Sequence, residues 1–274
     1  MKPTININPR SPYSKIKELL ASSITVRSVD GWDQLSDSEA WQVLRLLTAD
    51  GVKTADVPLM TFFMLNRFNV VGRSGNGFIV AGPDTIFELT PEVAVTLARP
   101  FEFIHKPAPM PWRPGRFRKY LAIRADLSSL TFADWLYIEN HLQRVIPTGD
   151  FSLLDNLNAL LMDRPKWMRM LLPAGHGRFT RPERLAVFLW LQSVKSYLQI
   201  RFPDFFIPVD SKESAEPVTP RMMQDSMDAQ IRALTKGDAT KEKEVLELNL
   251  YRALTELNAL AREYQELKRQ SEKR

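Results

Sequence analysis

At 274 residues the chain is long enough for one or two domains with a buried core, and 44% hydrophobic with 25% charged residues excludes wholesale disorder. It has no cysteine, which excludes disulfides, a thiolate nucleophile and Cys-ligated zinc or iron–sulfur clusters, and 11 glycines leave little for phosphate-cradling loops. The formal net charge of +5 matches the excess of one segment, residues 101–124, where Lys106, Arg113, Arg116, Arg118, Lys119 and Arg124 face Glu102 alone.

In chain order, residues 1–12 are polar and carry no apolar run of signal-peptide type. A short helix is expected over 13–21, and Ile24-Thr25-Val26-Arg27 alternates like a strand. Ser36-Asp37-Ser38-Glu39 is a capping box opening a helix with Trp41, Val43, Leu44 and Leu47 that stops near Gly51. A second apolar helix is expected over 57–68. Phe68 to Val71, the turn GRSGNG and Phe78-Ile79-Val80 predict a β-hairpin, with a third strand over 85–89. Thr90-Pro91-Glu92 supplies an N-cap, a proline at the first helical position and an acid in the first turn, predicting a helix to about Ala98.

The basic segment follows. Pro107, Pro109, Pro111 and Pro114 enforce an extended chain, with Trp112, Phe117 and Tyr120 interleaved. It reads either as a connector whose arginines pair with nearby carboxylates or as a surface for an acidic protein or a nucleic acid. In the latter two cases Arg113, Arg116, Arg118 and Lys119 are the contacts.

Beyond it the chain turns helical. Thr131 and Asp134 cap a helix over 132–145, a leucine-rich helix is expected over 153–161, and Thr180-Arg181-Pro182-Glu183 opens a helix to about Arg201. That last helix is apolar on nearly every face, which places it in the core. Its richest stretch, residues 185–191, is too short to span a bilayer, so no membrane partner is expected. Residues 211–219 read as a polar linker, followed by a helix over 220–234 and a break at Lys236-Gly237-Asp238. A final helix over 241–269 repeats Leu246, Leu250, Leu254, Leu257, Ala261 and Tyr264 at 4-4-3-4-3 spacing. Its stripe serves either its own domain or a partner or second copy, through Leu250, Leu254, Leu257 and Tyr264.

The expected fold is thus an α-rich α+β chain. Residues 1–100 form a mixed α/β region with a hairpin, 101–128 a basic proline-rich connector and 129–208 a helical domain. Residues 209–240 are a linker and short helix, and 241–274 a C-terminal helical arm. The motifs for chemistry are sparse. His105, His141 and His176 have no metal-site spacing, and GRSGNG lacks the lysine and helix of a phosphate loop. The expectation is a non-enzyme with no cofactor.

Some of these segments carry a resemblance. Trp32-Asp33-Gln34-Leu35-Ser36 and Leu130-Thr131-Phe132-Ala133-Asp134-Trp135, each opening a helix, resemble helix openings in tail-module proteins of phages and prophages. Arg164-Pro165 and Arg201-Phe202-Pro203-Asp204-Phe205-Phe206 fit the same order. The resemblance includes the tail assembly chaperones, and it implies a cytoplasmic, non-enzymatic assembly factor. Its partner would be the tape-measure or tube protein; self-association through the C-terminal helix is the separate possibility that its leucine stripe raises. A minor virion component or a basic nucleic-acid-binding protein stands as the alternative.

Overall fold

The computed structural model describes residues 4–6, 23–75, 77–117, 120–163, 177–206 and 219–272. The fold is α-rich α+β, with small antiparallel sheets beside predominantly helical structure. It divides into two compact units, 1–108 and 109–274, and the boundary falls inside the proline-rich stretch. Expected features at 13–21, Arg118, Lys119, Arg164–Pro165, His176 and 211–218 lie outside the described residues.

In the first unit, β1 (Thr4–Asn6) pairs antiparallel with β2 (Ser23–Thr25). Helix α1 (Asp37–Leu47) starts at the expected capping box, where Ser36 N donates to Glu39 Oε2 at 2.8 Å and Glu39 N to Ser36 Oγ at 3.4 Å. Helix α2 (Val57–Asn66) ends in a left-handed Arg67, and the hairpin follows as β3 (Asn69–Ser74) and β4 (Gly77–Ala81). β5 (Ile86–Leu89) completes the sheet in the order β3-β4-β5, so β4 is central. Gly77 is required there: a Cβ would drive into the carbonyl oxygen of Leu89. Thr90 caps α3 (Pro91–Ala98), which runs on into a 3-10 turn over Arg99–His105.

The core of this unit is aromatic. Phe62 meets Phe68 edge-on at 5.6 Å and Phe101 at 6.0 Å, and Phe68 meets Phe87 at 5.0 Å. Trp32 is buried edge-on to Phe103, and its indole donates to Lys106 O at 3.1 Å.

The second unit departs from expectation at its start. Part of the basic connector folds: β6 (Arg116–Phe117) and β7 (Tyr120–Ala122) form a hairpin extended by β8 (Met162–Asp163). The fully buried Leu127, at φ 57°, then turns the chain toward α4 (Phe132–Thr148). A left-handed leucine costs about 1 kcal/mol, offset here by its burial. α4 starts at the Thr131–Asp134 capping box and outruns the expected 145 end to the left-handed Gly149. The leucine-rich helix over 153–161 is a 3-10 segment, Phe151–Leu157, with only α5 (Asn158–Leu161) in α geometry. Arg184 fixes that segment by a bidentate pair with Asp155 (Nε to Oδ1 3.0 Å, Nη2 to Oδ2 2.6 Å), and Asp155 Oδ1 also accepts from Phe179 N.

Helix α6 (Arg181–Arg201) is central as its all-round apolarity implies: Val187, Trp190, Leu191, Val194 and Leu198 are fully buried. Helix α7 (Pro220–Thr235) ends at left-handed Lys236 and Gly237. The final helix is not continuous. A 3-10 turn (Ala239–Lys241) and α8 (Glu242–Leu246) are separated from α9 (Leu250–Glu272) by a break at 247–249.

The break has a tertiary cause. Asn249 bridges to Thr131, Phe132 N donates to Leu248 O at 2.8 Å, and Leu250 N to Leu130 O at 3.0 Å. Asn249 Oδ1 also accepts from Tyr251 N, a local cap at the start of α9. The C-terminal helix is therefore joined to the second unit, not a separate arm.

Candidate functional site

The residues expected to form a contact surface separate into five groups. Arg113 points inward: Nε donates to Ile123 O at 2.7 Å, Nη2 to Ala122 O at 3.0 Å and Nη1 to Pro114 O at 3.1 Å. Its guanidinium also lies 5.6 Å from the centroid of buried Trp190. Five fixed donors suit a cluster of loop carbonyls, so Arg113 ties the segment before β6 to the end of β7 and is engaged within the fold. Arg116 is exposed on β6, while Arg118 and Lys119 lie outside the described residues. Leu250, Leu254 and Leu257 are at most 4% exposed, so the contact role expected for them is corrected: they belong to the chain's own core. Tyr264 and Leu267, further along α9, are 70% and 65% exposed.

The first two turns of α9 are held on the other side as well. Tyr251 Oη donates to Asp126 O at 2.8 Å, and burial pushes its phenol up to about 12. Arg201 lies 4.8 Å over the Tyr251 ring and donates to Tyr197 Oη at 2.8 Å. Asn258 Oδ1 accepts from both Asp204 N and Phe205 N, which ties the end of α6 to α9.

Several titratable groups within the fold are likewise engaged. His141, 7% exposed, places Nδ1 2.8 Å from Tyr137 O, which accepts only, so Nδ1 carries the proton and Nε2 accepts from Asn156 at 3.4 Å. Lys195 and Glu139 pair at 2.5 Å across α6 and α4. In the first unit Ser74 donates to the buried Glu88, and Arg27 pairs with Glu39, holding that carboxyl down to about 2. Among the described residues, no three His, Asp or Glu side chains gather as metal ligands, and no helix is long and apolar enough to cross a membrane.

A concave surface lies between α4 and α7 in the second unit. Its walls are Leu136, Asn140 and Arg144 of α4 and Met223, Met227 and Ile231 of α7, enclosing about 620 Å³, with Gln224 and Asp228 also lining it. The helix of α7 was expected from the sequence, but its pairing with the row on α4 was not. Leu136 belongs to the apolar positions of its helix, while Asn140 and Arg144 on the same row are polar and charged.

α7 is the least covered helix of this groove. Of its apolar stripe Met223 is buried and Met227, Ile231 and Leu234 are half-buried; Met222, on another face of the helix, is 50% exposed. No family model, curated protein or solved structure matches the chain.

Proposed function

We propose that the chain is a non-enzymatic assembly factor that acts by docking another polypeptide, within the bacterial cytoplasm, during construction of a phage tail. The tape-measure or tube protein is its partner. The observation that carries the docking reading is the incompletely covered apolar stripe of α7, Met223, Met227, Ile231 and Leu234, beside an open groove. A helix fully committed to its own fold hides such a stripe; a methionine-rich one left half-covered suits an adaptable surface for apolar segments of other chains. The resemblance of Trp32–Ser36 and Leu130–Trp135 to tail-module proteins supplies the biological setting.

Co-expression with phage tape-measure and tube proteins tests this. The expected result is a co-purifying complex and a higher soluble yield of the partner. Unchanged solubility and recovery of both would overturn the reading.

A further inference from the structure

The groove between α4 and α7 has a shape and a charge pattern of its own. Each wall is an i, i+4, i+8 row, Leu136-Asn140-Arg144 on one side and Met223-Met227-Ile231 on the other. At 1.5 Å per residue each row runs about 12 Å, close to two helical turns. Such rows are the ridges between which a further helix lays its own ridge. The floor is apolar, since Leu136 and Met223 are each 8% exposed and Met227 and Ile231 half-buried.

The polar groups do not fit a uniformly apolar occupant. Asn140 and Gln224 interrupt the walls, and Arg144 and Asp228 place opposite charges on them. Among the described residues neither Arg144 nor Asp228 forms an ion pair. An acyl chain would leave Asp228 facing hydrocarbon, at a desolvation cost with no compensating bond. An extended strand would seat its backbone against side chains alone, leaving amides and carbonyls without partners, whereas a helix arrives with those groups already satisfied.

We propose that this groove seats one amphipathic helix of the partner polypeptide, with leucine-like side chains on the methionine floor, a carboxylate meeting Arg144 and a cationic or amide group meeting Asp228. This rests on the docking reading above and adds the chemistry of what docks. The occupant's apolar ridge supplies affinity, and the two charges fix its direction along the groove.

The test uses the full chain with methyl-labelled methionines. The probe is a displayed library of helical peptides about 15 residues long, with leucine fixed at i, i+4 and i+7 and the other positions drawn from Glu, Lys, Gln and Ala. Selection is expected to recover peptides with Glu at a constant offset from the leucines. Binding should shift the methyl signals of Met223 and Met227. Arg144→Glu should weaken it about tenfold, and Lys in place of the selected Glu should restore it. Arg144→Ala provides a second variant with no reversed charge.

Failure to enrich any charge pattern, methyl shifts confined to other methionines, or affinity indifferent to both Arg144 variants would overturn the proposal. So would Met223 and Met227 shifts produced by sodium myristate alone, or by concentrating the chain without peptide, since these would show a lipid or a second copy as the occupant. The two readings fail separately. If tail proteins co-purify equally with the Arg144→Glu chain, the groove assignment falls and the assembly reading stands; if the library selects as expected but tail proteins are not captured, the reverse holds.

Discussion

Helices α6 and α7 belong to the same unit and use their apolar residues in opposite ways. α6 hides apolar side chains around most of its circumference, and its flanks are tied down by Trp190 to Ala125 O at 2.6 Å and by Lys195 to Glu139. α7 carries one apolar stripe, of which only Met223 is buried. Helix propensity does not separate them, because both are capped by threonine and contain good helix formers. The difference lies in what surrounds each: α6 is enclosed, whereas α7 closes one side of a groove. Folding free energy should therefore concentrate in α6, leaving the α7 surface available for binding.

The sharpest way to break that contrast is Trp190→Ala. The ring is fully buried, stacks beneath Arg113 and donates a hydrogen bond, so its loss leaves a cavity and an unpaired Ala125 carbonyl. A loss of about 3–5 kcal/mol is expected. A chemical denaturation midpoint that hardly moves would mean α6 is not the centre of the unit.

Next in size comes the same contrast within one helix. Leu254→Ala in α9 should cost about 2–4 kcal/mol, because the side chain is fully buried, while Leu267→Ala, at 65% exposure, should stay within about 0.5 kcal/mol. Equal losses would show that the outer turns of α9 are packed in solution.

What was legible in the sequence follows the range of the interactions involved. The openings of α1, α4 and α6 were readable from Ser36/Glu39, Thr131/Asp134 and Thr180/Glu183, because a capping box is closed within four residues. The hairpin was readable from the glycines between Phe68 and Val80 for the same reason. β8 was not, being two residues long and paired with β7 about forty positions earlier. The interruption before α9 was hidden likewise, since its cause is Leu130 to Phe132, far away in sequence. Charge counting found the basic segment, but no count tells that Arg113 turns in toward carbonyls while Arg116 turns out. For the groove, both helices were expected, but that the row of Leu136 faces the row of Met223 depends on tertiary packing and could not be read from either segment alone.

A smaller effect extends the contrast to a helix terminus. In α1 one carboxylate, Glu39, both closes the capping box and pairs with Arg27, so its folded pKa is about 2 against an ordinary 4.5. A lowered folded pKa means the stabilisation is fully present above about pH 4.5 and is lost as the pH falls toward 2. Glu39→Gln should cost about 1 kcal/mol near neutrality, as the pair is partly exposed, and should flatten the acid limb of the stability curve. An unchanged acid limb would show that other carboxylates govern it. α7 has no such closed box: Thr219 Oγ accepts from Met222 N at 3.2 Å with no acid returning the bond, consistent with a helix held less firmly at its start.

The smallest expected change in stability bears most directly on function. Met227 is half-buried on the groove side of α7, and a glutamine there keeps the length and helix propensity of the side chain while removing its apolar tip. Met227→Gln should cost no more than about 1 kcal/mol, because glutamine keeps the length of a side chain that the fold buries only in part. Recovery of the co-expressed partner should nevertheless fall steeply, since any apolar segment seated on that floor would meet an unpaired amide. A denaturation midpoint measured beside the pull-down separates the two effects. If stability drops as far as it does for a core residue, the α7 stripe is part of the fold and the contrast with α6 disappears. If stability holds while partner capture is also unchanged, the stripe is exposed without being the surface that binds.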